Sequence, residues 1–129
     1  MRRGFCALAL ALLVAAPAAA QEQQVVVLQG LDKVTARIST LEVPIDQSVR
    51  FGTLEIRARA CHKRPPDEPP ETTAFLEIDE ARPGEAPTRV FTGWMFASSP
   101  ALSALEHPVY DVWVTDCRKA DSSSSDRSR

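Results

Sequence analysis

From Val25 to Cys117 the chain alternates apolar and polar residues with a period of two, broken at intervals by proline and glycine. The clearest stretch is LEIRARAC, residues 54–61. Leu54, Ile56, Ala58 and Ala60 fall on one side, and Glu55, Arg57, Arg59 and Cys61 on the other. Successive strand side chains point to opposite faces, so this pattern predicts a half-buried strand. TAFLEIDEA, residues 73–81, repeats it, with Phe75, Glu77 and Asp79 opposite Ala74, Leu76 and Ile78. VVVLQ, residues 25–29, is short and β-branched, as buried strands are. In VTARISTLEV, residues 34–43, Val34, Ala36 and Ile38 alternate, then Leu41 and Val43 continue out of phase. That slip predicts a bulge near Ser39–Thr40. Val49 and Phe51 form a short piece ahead of a bend at Gly52. TRVFTGWMFAS (88–98) sets Trp94 and Phe96 against Phe91, Gly93 and Met95. VYDVWVTDC (109–117) sets Tyr110, Val112 and Val114 against Asp111, Trp113 and Thr115.

The connections carry turn chemistry. HKRPPDEPPET, residues 62–72, packs Pro65, Pro66, Pro69 and Pro70 into a span too poor in donors for regular structure. RPGEAP, residues 82–87, suits a hairpin connection. SSPALSALEHP, residues 98–108, is the single helix candidate: Ser99 can cap, Pro100 fits the first helical position and Pro108 stops it. Short strands at regular spacing with one brief helix predict an all-β sandwich or barrel of six or seven strands.

The ends of the chain change the picture. Arg2 and Arg3, an apolar run from Phe5 to about Ala16, and Ala18-Ala19-Ala20 have the order of a secretory signal over residues 1–20. The apolar run is shorter than the ~20 residues that span a bilayer, so no transmembrane segment is expected after cleavage. Residues 21–24 are then a short extension, 25–117 the β domain, and the serine-rich 118–129 a disordered tail. Losing Arg2 and Arg3 takes the net charge from −2 to −4. An acidic domain is poorly suited to nucleic acid, whose phosphates demand a basic surface, and to electrostatic docking on anionic membranes. The expected location is the periplasm or cell envelope.

In an oxidising compartment Cys61 and Cys117 are expected to form a disulfide, Cys6 leaving with the leader. Two other readings compete. Cys61, His62, His107 and Cys117 supply zinc-binding atoms, though without the close ligand pairs of structural zinc sites. Cys61 with His107 as base would make a thiol nucleophile.

Further candidates concern binding and catalysis. Trp94, Phe96, Tyr110 and Trp113 hold much of the aromatic content and serve either the core or a binding surface. Arg57, Arg59, His62, Lys63 and Arg64 form a basic stretch suited to an acidic partner, or simply a solvated strand face. Glu77 and Asp79 share a face as a glycosidase pair would, and also as the solvent side of a sheet would. His107 can be drawn into a triad with Ser98 or Ser99 and Asp111 or Asp116, without a nucleophile-elbow sequence around either serine. No phosphate loop, dinucleotide fingerprint or calcium loop is present, and no cofactor is expected.

LDKVTARISTLEVP, VRFGTLEIRARACHKRPP with PPETTAFLEI, and VFTGWMFASSPALSALEHPVYDVWVTDC resemble a bacterial family of small exported proteins, the domain-of-unknown-function family 2155. The resemblance covers residues 25–117 and implies an exported single domain of open activity. It transfers no functional residue. A cellulase-like label attached to some members implies a second reading, a small hydrolase acting on envelope carbohydrate or peptide. The leading expectation is a non-enzymatic module binding an envelope protein or cell-wall component.

Overall fold

The structure, a computed structural model, describes residues 24–105 and 107–120, with Gly4 as an isolated position. The expected leader and most of the serine-rich tail lie outside the described residues. Among the described residues seven strands form two antiparallel sheets: β1 (Gln24–Asp32), β2 (Arg37–Pro44), β3 (Ser48–Phe51), β4 (Leu54–Lys63), β5 (Thr72–Glu80), β6 (Thr88–Phe96) and β7 (Tyr110–Lys119). One sheet has the order β2-β1-β7 and the other β3-β4-β5-β6. They stack as a sandwich; neither closes into a barrel. The alternation seen in the sequence feeds the space between them. Val26, Leu28, Val43, Val112 and Val114 come from one sheet, and Leu54, Ile56, Leu76, Ile78 and Met95 from the other.

Bulges sit where they reset this alternation. Between Ala58 and Ala60 the β4–β5 register slips by one, leaving Arg59 as the extra residue. Strict alternation would put Ala60 inside and Cys61 outside. The bulge reverses this: Ala60 faces out beside Phe75, while Cys61 pairs with the fully buried Ala74 and is itself buried. Thr115 in β7 and Val90 in β6 are the extra residues of two similar shifts. Thr115 Oγ1 donates to the Val27 carbonyl across its bulge.

No bulge occurs at Ser39–Thr40. The β1–β2 register is continuous from Val25↔Pro44 to Asp32↔Arg37. Leu41 and Val43 hold the inward positions and Ile38 remains 63% exposed, so the out-of-phase apolar residue lies outside rather than bending the strand. Val34 is likewise exposed, in the turn between β1 and β2, where Asp32 Oδ1 accepts the N–H groups of Val34 and Thr35.

The predicted helix shrinks to one 3-10 turn, Pro100–Leu102, whose Ser99 side chain makes no capping bond. Its surroundings explain this. Residues 97–105 and 107–109 form a strap from the end of β6 to the start of β7, and buried Leu105 and His107 draw it out along the sandwich. The strap is fixed at both ends of β5. Ala97 N–H donates to the Thr72 carbonyl, and the Ser98 N–H and hydroxyl donate to Glu71; at the far end His107 meets Glu80. The Ser98 bonds hold the Glu71 carboxyl below the usual range.

Gly52 closes the β3–β4 turn at φ +59°, and a Cβ there would overlap the ring and hydroxyl of Tyr110. Tyr110 is itself fixed edge-on to Phe51, with ring centroids 5.2 Å apart. Gly52→Ala is therefore expected to lower the unfolding free energy by roughly 2–4 kcal/mol, combining left-handed backbone strain with overpacking. Urea denaturation reads this directly, and an unchanged midpoint would contradict it.

Candidate functional site

Three strands decide which surface has chemistry to offer, through the outward-facing residues of β4, β5 and β6. No helix or strand covers the outer face of this sheet among the described residues. Its side chains divide into two fields. Toward the start of β5, Phe75 stands between Ala60 and Trp94, and Thr73 lies beside Phe96. The Phe75 and Trp94 rings meet edge to face at 5.4 Å, and Trp94 remains 43% exposed. Toward the end of β5, Arg57 opposes Glu77, and Glu55 and Arg89 flank Asp79.

The charged field surrounds a polar depression of about 310 Å³ lined by Glu55, Arg57, Arg59, Glu77, Asp79 and Arg89. Arg59, pushed outward by its bulge, reaches Asp46 at 3.2 Å and Glu77 at 3.3 Å. Arg89 binds Asp79 and lies 3.8 Å from Glu77. The bond to Asp46, reinforced by Glu77, raises the Arg59 pKa above its ordinary value; Asp79 does the same for Arg89. Arg57 and Glu55 have no ion-pair partner among the described residues.

The residues singled out in the sequence thus fall into separate places. Arg57, Arg59, Trp94 and Phe96 share the outer face of the four-stranded sheet. Tyr110 packs inward at the strap's end against Phe51 and His107. Trp113 stands on the outer face of the other sheet, opposite Gln29. Phe75 and Arg89 complete the candidate face and were not singled out. The available signal was the phase of β5, which sets Phe75 in line with Glu77 and Asp79.

The catalytic arrangements drawn from the sequence are not assembled. Cys61 and Cys117 are joined as a disulfide between β4 and β7, with Cα atoms 6.1 Å apart, which removes both as thiol ligands or nucleophile. No group of three or more metal-binding side chains occurs among the described residues. Ser98 lies at the Glu71 end of β5 and His107 at the Glu80 end, separated by roughly 30 Å at 3.3 Å per strand residue. Glu77 and Asp79 are held in an arginine network, and neither occupies the apolar pocket that keeps a general acid protonated.

His107 has a structural task. Its Nδ1 accepts the N–H groups of Val109 and Tyr110 at 3.0 and 3.2 Å, so Nε2 carries the proton and donates it to Glu80. Lys33 donates to the His107 carbonyl. The His107 bond, then that from Arg82, outweigh partial desolvation and hold the Glu80 carboxyl below the usual glutamate range. A carboxyl depressed by folding stabilises fully above its unfolded pKa, and that contribution disappears as pH falls through the lower folded value. The stability gap between wild type and Glu80→Gln should therefore be largest near pH 7 and close progressively below the ordinary glutamate pKa. Urea midpoints across pH 3–7 test this; a gap that does not narrow would refute it.

Residues 26–117 match the family described as "Uncharacterized protein conserved in bacteria", the domain-of-unknown-function family 2155. The chain belongs to this family. The matched span includes both disulfide cysteines and reaches from β1 into β7, so the family 2155 domain and the sandwich coincide. An uncharacterised protein of Rickettsia prowazekii is 32% identical over 88 residues, covering 68% of this chain and 57% of the relative. The chain thus spans just over half the length of that relative. No solved structure matches the chain. No helix among the described residues is long and apolar enough to cross a membrane.

Proposed function

We propose that this family 2155 domain is an exported, non-enzymatic module of the periplasm or cell envelope that binds a protein partner through the outer face of β3–β6. The carrying observation is the uncovered pairing of two fields: an aromatic row built on Phe75, Trp94 and Phe96, and an array of both charge signs in which Arg57 and Glu55 form no ion pair among the described residues. Half-exposed aromatic rings supply contact area with little rotamer entropy to lose, and arginine is among the residues enriched where partners are held tightly. Neighbouring charges of both signs favour a polypeptide, which can answer each, over a uniformly charged polymer. The secretory leader expected over residues 1–20 agrees with an envelope location.

The test begins with osmotic shock of cells expressing the full chain, followed by cross-linking in the intact envelope. The mature protein should leave with the periplasmic or envelope fraction. One discrete partner should cross-link to wild type, with at least a tenfold loss for Trp94→Ala and for Arg57→Glu, while both variants keep the wild-type thermal transition. Retention in the cytosol, or equal capture by both variants, rejects the proposal. Sedimentation with purified cell wall that depends on Trp94 would replace the protein partner with a cell-wall one.

A further inference from the structure

A second site lies away from the outer face, where the two sheets differ in width. The three-stranded sheet ends at β7, which pairs with β1 on one side and, among the described residues, with no strand on the other. The facing sheet has four strands, and its last strand, β6, is joined to β7 by the strap. Buried Leu105 of the strap joins the core between the sheets. Beside Thr115 and Asp116 of β7 the space stays open as a groove of about 550 Å³, floored by Thr72, Ala97 and Ser98 and walled by the proline-rich β4–β5 loop. That volume lies within the range of roughly 300–1,000 Å³ seen for ligand clefts.

The chemistry of this groove selects its occupant. A terminal strand exposes main-chain N–H and C=O groups in a repeat that another extended chain matches. Recognition by strand addition takes its affinity from those bonds and its specificity from side-chain pockets beside the edge. Here the pocket is preformed. Pro65, Pro66 and Pro70 line it with rings that lose little freedom on contact. Its floor is fixed by the bonds from Ser98 to Glu71. Asp116 guards this edge: its Oδ1 accepts from Lys63 at the end of β4 and from the Cys117 N–H, each at 2.8 Å, so an added strand displaces the Asp116 carboxylate from that amide. Glu68, Glu71 and Asp116 outnumber Lys63 and Arg64, which disfavours acidic occupants.

We infer that this groove receives an extended, neutral or basic peptide segment of a partner protein, added as a strand to the free edge of β7. The site is independent of the outer face: Trp94 and Arg57 take no part in it.

The probe is a displayed library of linear peptides, selected against the oxidised full chain. The best peptide should be neutral or basic, and its binding should raise the hydrogen-exchange protection of amides within Thr115–Arg118 at least tenfold. Amide shifts should concentrate in the β4–β5 loop and at Ala97–Ser98. Trp94→Ala should leave the affinity unchanged, which separates this site from the proposed outer face. Thr115→Trp, which fills the groove, should lower affinity at least tenfold. The mapping on wild type stands even if that variant fails to fold. Four results would overturn the inference: no peptide selected, protection mapped to another edge or to the Trp94 face, β7 protection without peptide that vanishes on truncation after Ala120, or β7 protection that tracks dimerisation of the chain.

Discussion

Replacing Cys61 and Cys117 together with serine is expected to lower the unfolding free energy by about 4 kcal/mol, the loop-closure value for cysteines 56 residues apart. The whole stability of a domain this size is of the order of 5–15 kcal/mol, so the change is large in proportion. Location adds to its importance. The bond joins a central strand of one sheet to a terminal strand of the other, beside the groove where β7 has no neighbouring strand among the described residues. Local loss should therefore appear first in β7, as faster hydrogen exchange from Thr115 to Lys119. Urea denaturation of the double variant, compared with the oxidised wild type, gives the magnitude. A loss below about 1 kcal/mol would show that the reduced, unfolded chain is already constrained in some other way.

Leu76→Ala should cost an amount in the upper half of the 2–5 kcal/mol range for buried leucine truncation. Leu76 is fully buried on β5, with sheet neighbours on both sides. The two residues beside it in the sheet are Ala58 and Gly93, the smallest available. Neither has a side chain that can swing into the space left by the leucine, so the cavity persists and collapse recovers little. Ile38→Ala is the matched comparison. Ile38 is 63% exposed and outside the core, and its truncation should shift stability by no more than about 0.5 kcal/mol. Equal midpoints for the two variants would mean that the sandwich interior is not close-packed around β5.

The strands were legible because most of this fold is two half-buried layers, and a half-buried strand writes its orientation into every second residue. β4 and β5 show it: Leu54, Ile56 and Ala58, then Ala74, Leu76 and Ile78, are inward in both sequence and structure. The fold class and the disulfide followed from that pattern and from two cysteines. Legibility ended where a single residue changes the phase. Nothing in RARAC marks Arg59 as the extra residue, because bulging is settled by the partner strand and by the pull of Cys61 toward Cys117. The apparent slip in β2 was the reverse case, an exposed Ile38 that imitates a change of phase. In the strap, Ser99, Pro100 and Pro108 gave sound local helix signals. Burial of Leu105 and the His107–Glu80 bond overrode them, and such distant contacts leave no local trace. The candidate face was half legible. Trp94, Phe96, Arg57 and Arg59 stand on it, whereas Tyr110 and Trp113, equally prominent in the sequence, are placed elsewhere by a β7 whose neighbours cannot be read from its own residues.

The pairing of β1 with β7 brings Gln24 beside Lys119 and leaves β1 as the middle strand of its sheet. A chain that emerges amino-terminus first therefore holds one of its most apolar segments, Val25 to Leu28, without one of its two strand neighbours until almost the last residue of the domain has followed. The β3–β6 sheet, built wholly from consecutive hairpins, has no such delay and can assemble earlier. Emergence thus separates into an early sheet and a late one, with β1 and β2 as an incomplete hairpin in the interval. During that interval the exposed edge of β1 is the part of this molecule most open to aggregation, or to a chaperone that holds extended chains.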